Sequence, residues 1–271
     1  MQKLLHTAII AAINAGNEIL QIYNTPFTIN YKSDNTPVTS ADRAASKLII
    51  ETLQTSNIPV ISEEEDLPNY EIRKNWKNLW MVDPLDGTKE FVKRNGEFTV
   101  NIALIESQQP IIGVIYSPVF KHLYFAANTF GSFKINAHNV IEIINNNLIN
   151  NFDAILTKAK AIKTNTQTKD FTIIASRSHL SAELNNYIKK LEKTKGPIKL
   201  INVGSSIKMC WVAEGIANEY PRYGTTMEWD TAAGHCILNN AGGTIVSLEN
   251  NLPLIYNKQN LKNPNFIAKK N

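Results

Sequence analysis

Apolar residues recur at helical spacing from residue 2 to about residue 23. They place Leu4, Leu5, Ile9, Ala12, Ile13, Ala15, Ile19 and Leu20 on one face before Asn24-Thr25-Pro26 breaks the run. A second such stretch, residues 41–55, puts Ala44, Ala45, Leu48, Ile49 and Leu53 on its apolar face. It opens on Thr39-Ser40-Ala41-Asp42, so Asp42 lies in the first turn, where the helix dipole favours a carboxylate. Residues 27–38, between the two, read as a short hairpin or loop. The pattern then shortens. Residues 59–61 form a brief apolar strand running into Ser62-Glu63-Glu64-Glu65-Asp66, and the apolar run 79–82 ends abruptly at Asp83. Residues 98–105, 110–116 and 122–126 are rich in β-branched and aromatic side chains and are separated by turn-prone linkers. They predict an antiparallel meander with the early helices packed on it.

From about 127 to 170 the chain repeats Asn, Ile and Lys with little patterning, and a domain boundary is expected there. Beyond Phe171 strands and helices alternate. The pattern gives strand 172–175, helix 181–192, strand 198–201, helix 205–215 and a short strand 219–222. A helix then runs from Trp229 to near Asn240, closed by Gly242-Gly243, and strand 243–246 follows. The expected organisation is an N-terminal α+β sub-domain, residues 1–140, and a C-terminal α/β sub-domain, residues 141–271. In such α/β layers ligands gather at strand ends.

Composition narrows the options. At 271 residues, with 43% hydrophobic and 19% charged, the chain has ordinary globular make-up and length for one large domain or two. A net charge of +4 without a dense Lys/Arg run argues against nucleic-acid binding and suits a small polyanionic substrate. Cys210 and Cys236, far apart and outside any Cys-x-x-Cys spacing, read as buried thiols of a reducing compartment. The first twelve residues continue into the helical pattern instead of forming a signal-like block. No apolar run approaches the roughly 18 residues of a bilayer span. A cytoplasmic location is expected, with attachment at the inner-membrane surface left open.

The chemistry concentrates at Asp83-Pro84-Leu85-Asp86-Gly87-Thr88. Two carboxylates at a strand end, with the Leu85 carbonyl between them, form a hard-oxygen cage suited to Mg²⁺. A helix starting near Thr88 turns its free N–H groups towards a phosphate on that metal. The same residues also make ordinary Asp-Gly turns. The acid run after Ser62 is by itself a solvated loop, but if strands 59–61 and 79–82 are neighbours, Glu63 reaches the same cluster. Asp230 reads as either a helix cap or a further carboxylate of that cluster.

Taken with Ser62-Glu63-Glu64 upstream and Trp229-Asp230-Thr231-Ala232-Ala233-Gly234 downstream, this motif resembles the metal-dependent phosphomonoesterase superfamily of inositol monophosphatase and fructose bisphosphatase. The longer string from Asp83 to Leu104, with Thr88-Lys89-Glu90-Phe91 and Arg94-Asn95-Gly96-Glu97-Phe98-Thr99-Val100-Asn101, is similar to the bacterial 3′(2′),5′-bisphosphate nucleotidases. The resemblance covers nearly the whole chain and is weakest over 127–170. It implies a layered α-β-α-β-α, sugar-phosphatase-like fold with two sub-domains. It also implies Mg²⁺-dependent hydrolysis of the 3′-phosphate of adenosine 3′,5′-bisphosphate, linked to sulfate assimilation. Two or three Mg²⁺ ions are expected on Glu63, Asp83, the Leu85 carbonyl, Asp86 and Asp230, with Li⁺ inhibiting by taking one of their positions. Asp42 and Thr88, with Glu63, match the groups that orient or deprotonate the attacking water. Gly87, Thr88, Ser176, His179, Gly204, Lys208 and Asp230 match substrate contacts, Lys208 pairing with the retained 5′-phosphate. Glu64 competes with Glu63, because the acid run is longer than the family's two-Glu pattern.

The expected partner is a small-molecule nucleotide, and the expected assembly is a monomer or homodimer. Two alternatives stand beside this reading: an inositol monophosphatase or broad sugar phosphatase, and a non-catalytic nucleotide-binding module. The intact acid set and Thr88 argue against the second.

Overall fold

The structure, a computed structural model, describes residues 1–31, 37–165, 170–176 and 181–271. The first amphipathic stretch forms α1 (Gln2–Tyr23), and its buried residues Leu5, Ile9, Ala12, Ile13, Ala15 and Ile19 follow the predicted face. An antiparallel ribbon, β1 (Ile29–Tyr31) and β2 (Pro37–Thr39), leads into α2 (Ser40–Leu53). Next come β3 (Val60–Ser62), the single turn α3 (Tyr70–Arg73), β4 (Asn78–Asp86) and the short α4 (Thr88–Val92). The expected meander is β5 (Thr99–Glu106), β6 (Gln109–Ser117) and β7 (His122–Ala127), and a further strand, β8 (Gly131–Ile135), extends it; all are antiparallel, with β5 paired to β4.

The weakly patterned stretch holds α5 (Ala137–Asn145), α6 (Phe152–Thr157) and β9 (Lys160–Ala161), the last pairing with β8. The first sheet therefore has seven strands in the order β3-β4-β5-β6-β7-β8-β9. Beyond it lie β10 (Phe171–Ser176), α7 (Ala182–Lys195), β11 (Ile198–Val203), α8 (Ile207–Ala213) and β12 (Glu219–Arg222). The chain ends with α9 (Glu228–Asn240), β13 (Gly243–Ser247) and β14 (Phe266–Lys270). The second sheet runs β11-β10-β12-β14-β13, parallel across its first three strands and antiparallel around β14. The passage between sheets falls between Ala161 and Phe171, inside the weakly patterned stretch.

Side-chain alternation explains the layering. On β4, Trp80 and Val82 join the cluster under α1 and α2, while Leu79 and Met81 face the cluster built with α8 and α9. Both faces of the large sheet are covered, so its strands read as unbroken apolar runs. The order of layers is α1/α2, seven-stranded sheet, α8/α9 and five-stranded sheet, with α7 against β11. This is the mixed α+β layered fold that the sequence implies.

Outside the weakly patterned stretch, two elements depart from expectation. The helix expected over 205–215 begins only at Ile207, because Ser205 takes a left-handed backbone (φ +50°) and Gly215 (φ +73°) closes the far end. β14 has no counterpart in the sequence reading, since only Phe266-Ile267-Ala268 of it is apolar and a loop rich in Asn, Pro and Lys precedes it. Among the described residues no helix is long and apolar enough to cross a membrane. Both cysteines are buried free thiols, as expected.

Candidate active site

The parallel pairing of β3 with β4 sets Ser62 opposite Val82, and the Glu63 N–H donates to the Val82 carbonyl at 3.2 Å. Glu63 and Asp83, one residue further on each strand, therefore leave the same sheet end side by side. Asp230, from the first turn of α9, joins them. One carboxylate oxygen from each of Glu63, Asp83 and Asp230 lies within 4.8 Å of the others, whereas Glu64 falls outside this trio. The β4–β5 register is irregular between Asp83 and Asp86, and the Leu85 N–H folds back to Asp83 Oδ1 at 3.1 Å. Gly87, at φ +99°, makes the left-handed step that a side chain resists and starts α4 at Thr88.

The two oxygens of Asp42 have different partners. Its Oδ2 accepts the Thr39 N–H and hydroxyl, each at 2.7 Å, closing a capping box on α2. Its Oδ1 accepts the Thr88 hydroxyl at 3.1 Å, and Thr88 Oγ1 also lies 3.4 Å from the Leu85 carbonyl. Asp230 also both caps a helix and joins the acidic trio. Oδ2 accepts the Met227 N–H at 2.9 Å, capping α9, while the residue still contributes an oxygen to the trio.

Electrostatics define what this cleft will hold. Burial first, then the charges of Glu63, Asp86, Asp230 and Asp42, push the Asp83 carboxyl well above the usual carboxylate range. Asp230 is raised well above it too, by burial and then by Asp86 and Glu63. Burial lifts Asp86 to about 6 against the opposing Lys208 ammonium and a hydrogen bond from Asn101. Asp42 is raised by burial, despite the donors on it. Converging oxygen donors that destabilise one another as anions are what a hard divalent cation relieves, so the residues fit such an ion.

Glu63, Asp83, Leu85, Asp86, Gly87, Thr88 and Asp230 line one cleft. Adjoining it, and sharing Asp86, Gly87, Lys89, Glu90 and Asp230, is a pocket with Ser176, Gly204, Ser205, Ser206, Lys208, Tyr220, Arg222 and Thr226 in its wall. Ser176 ends β10 at the pocket mouth. Gly204 sits where a Cβ would fall 2.8 Å from Glu90 Cγ and from the Glu97 carbonyl oxygen, so only glycine lets this loop seat. The Lys208 ammonium is buried and donates to the Ser205 carbonyl and, at 3.4 Å, to that of Val203. Burial lowers its pKa to about 8, and Asp86 is the largest influence restraining that fall.

Every expected site residue thus meets at these two adjoining pockets except Asp42, which reaches them through Thr88, and His179, which lies outside the described residues. Unanticipated neighbours are Glu90, Ser205, Ser206, Tyr220 and Thr226 in the walls, and Thr99 and Asn101 behind them. The last two carried a signal, being polar residues inside an otherwise apolar strand.

A layered α/β scaffold holding a half-buried carboxylate cluster beside a hydroxyl–carboxylate pair, with Lys89, Lys208 and Arg222 among the walls of the adjoining pocket, fits a metal-dependent phosphatase class of site. The inositol monophosphatase family model matches residues 1–271, and the chain belongs to that family. It is 41% identical over 263 residues to the 3′(2′),5′-bisphosphate nucleotidase CysQ of Escherichia coli K12, covering 94% of this chain and 95% of that one. The counterpart of the same name from Buchnera aphidicola is 42% identical over 250 residues, covering 90% of this chain and 84% of the relative. The crystal structure of CysQ from Bacteroides thetaiotaomicron, a bacterial member of the inositol monophosphatase family, superposes with a TM-score of 0.88. It is 44% identical and covers 100% of this chain and 98% of that one.

Proposed function

We propose that this chain is a 3′(2′),5′-bisphosphate nucleotidase that removes the 3′-phosphate of adenosine 3′,5′-bisphosphate, giving AMP and phosphate. One observation carries the reading: the Thr88–Asp42 pair and the acidic trio open into a pocket with Lys89, Lys208 and Arg222 in its wall. That layout offers hydrolysis at one phosphate and cationic recognition of a second. The 41% identity to the E. coli nucleotidase along nearly the full length of both chains points to the same substrate.

Glu63, Asp83, Asp86 and Asp230, with the Leu85 carbonyl, hold Mg²⁺ in this reading, two or three ions in all, and Li⁺ inhibits by taking one of their places. What bound Mg²⁺ supplies is charge neutralisation on the phosphoryl oxygens and acidification of the attacking water. The chain's own residues move the proton. Thr88 Oγ1 accepts it from the water as its hydroxyl hydrogen passes to Asp42 Oδ1, a carboxylate that burial has made more basic. The Thr39 donors keep the other Asp42 oxygen, so the relay oxygen stays aimed. The first N–H groups of α4, after Gly87, orient the phosphate, and Asp230 touches the substrate beside them. Ser176, His179, Gly204 and Lys208 hold the nucleotide, with Lys208 and Arg222 answering the retained 5′-phosphate. The enzyme acts in the cytoplasm on a free nucleotide, as a monomer or homodimer.

Initial rates of phosphate release on adenosine 3′,5′-bisphosphate and on inositol 1-phosphate test this. At least a tenfold kcat/KM preference for the nucleotide is expected, and a preference for the inositol ester would overturn the substrate assignment.

A further inference from the structure

We infer that Ser206 and Asn101 clasp the substrate loop to the Asp86 carboxylate, so that metal and nucleotide bind cooperatively through them. The inference rests on the nucleotidase reading above and extends it to coupling between its two halves.

The loop that connects β11 to α8 belongs to the five-stranded sheet, yet its polar anchors lie on the other sheet. The Ser206 hydroxyl donates to Asn101 Oδ1 at 2.7 Å. With its one hydrogen committed there, its oxygen accepts from the Thr99 hydroxyl at 2.9 Å. The Asn101 amide in turn donates to Asp86 Oδ2 at 3.4 Å. Thr99, Asn101 and Ser206 are 0%, 1% and 3% exposed, and a buried polar group is tolerated only when its bonds are satisfied. Two further ties hold the same loop. The Gly204 N–H donates to Glu97 Oε2 at 2.8 Å, and the Lys208 ammonium grips the Val203 and Ser205 carbonyls.

One short segment therefore faces two ways. Gly204, Ser205 and Ser206 line the pocket assigned to the nucleotide, while the Asn101 amide behind them orients a carboxylate assigned to the metal. With the loop seated, the Ser206 hydroxyl fixes the Asn101 amide towards Asp86. With the loop lifted, Asn101 loses the partner that fixes its amide, and Asp86 loses an oriented donor. A nucleotide that seats the loop consequently orients Asp86 for the ion. Linkage requires the ion to favour the nucleotide by the same factor. Partners behind a metal ligand commonly matter by 10- to 100-fold in affinity.

The test is a calorimetric titration of Mg²⁺ into the protein with and without saturating AMP, a product that does not turn over, with free Mg²⁺ corrected for chelation by AMP. In the unaltered protein AMP is expected to tighten Mg²⁺ by at least about fivefold. In Ser206→Ala that factor falls below two, and Mg²⁺ alone binds about tenfold more weakly. Asn101→Ala, which removes the amide on Asp86 itself, gives the same loss, and the double variant is no worse than Asn101→Ala alone. Thermal unfolding identifies any variant that does not fold, and the remaining one then carries the test. Wild-type coupling retained in a folded Ser206→Ala or Asn101→Ala protein overturns the clasp, as does an additive double variant. Failure of AMP to bind the unaltered Mg²⁺-loaded protein is a different result. It refutes the nucleotidase reading, and the clasp with it.

Discussion

Asp42→Asn separates the proton relay from the helix cap, because the two functions use different oxygens of one carboxylate. Asparagine can keep its carbonyl on the Thr39 donors, now 2.7 Å from Oδ2, and present its NH₂ where Oδ1 accepts the Thr88 hydroxyl at 3.1 Å. Thr88 then becomes an acceptor and has nowhere to pass a proton. General-base assistance contributes about 10²–10⁴ in rate. A loss of at least about 100-fold in kcat is therefore expected, or about 2.7 kcal/mol at 1.36 kcal/mol per tenfold. Stability should move far less. Weakening the cap costs about 1 kcal/mol. Removing a charge whose burial raises its pKa gives some of that back. The residue is under about 1 kcal/mol, or within about 4 °C in Tm for a chain of this size. Steady-state phosphate release, thermal unfolding and a Mg²⁺ titration on the same preparation read all three quantities. A folded, Mg²⁺-binding Asp42→Asn enzyme with kcat within threefold of the parent would refute the relay.

Two further outcomes follow from the carboxylate cluster. Asp42, Asp83, Asp86 and Asp230 all have raised pKa values, so between the usual carboxylate range near 4 and the Asp86 value of about 6 the folded metal-free chain holds more protons than the unfolded one. These groups therefore lower stability as pH rises through that window, and a cation restores it at the upper end. The Mg²⁺-induced rise in Tm should be larger at pH 8 than at pH 5, and an equal rise at both would count against a Mg²⁺ site on these acids. Asp83→Asn should abolish Mg²⁺-dependent turnover while leaving the metal-free Tm unchanged or higher, since it removes the carboxylate most opposed by its neighbours. Full activity in that variant would dismantle the metal assignment.

What could be read from the chain depended on whether the signal was local. The α1 stripe, the meander from Thr99 to Ala127 and the start of α9 each carry their pattern within a few residues, and each lies where expected. The Asp83–Thr88 motif was also legible, because its carboxylates, turn glycine and helix start are contiguous. The place of Glu63 was legible only as a condition, since it depends on β3 lying parallel to β4 with Ser62 opposite Val82. Asp42 looked like a cap and is one. Its second oxygen acquires meaning only through Thr88, 46 positions away. Lys208 shows the same limit. Its place at the pocket follows the motif, but the bonds that two of its three ammonium hydrogens make to the carbonyls of its own loop carry no sequence signal. The helices of 137–157 were hidden because their Asn-rich sequence dilutes the apolar stripe that Val140, Ile143, Phe152 and Ile155 bury.

The most direct measurement is ³¹P NMR of the reaction with adenosine 3′,5′-bisphosphate, run with Mg²⁺ and again with EDTA. Loss of the 3′-phosphate resonance with growth of inorganic phosphate and 5′-AMP, only in the presence of Mg²⁺, is the expected result. Appearance of 3′-AMP, or equal turnover in EDTA, would contradict the assignment of the cluster as a Mg²⁺-dependent 3′-phosphatase site.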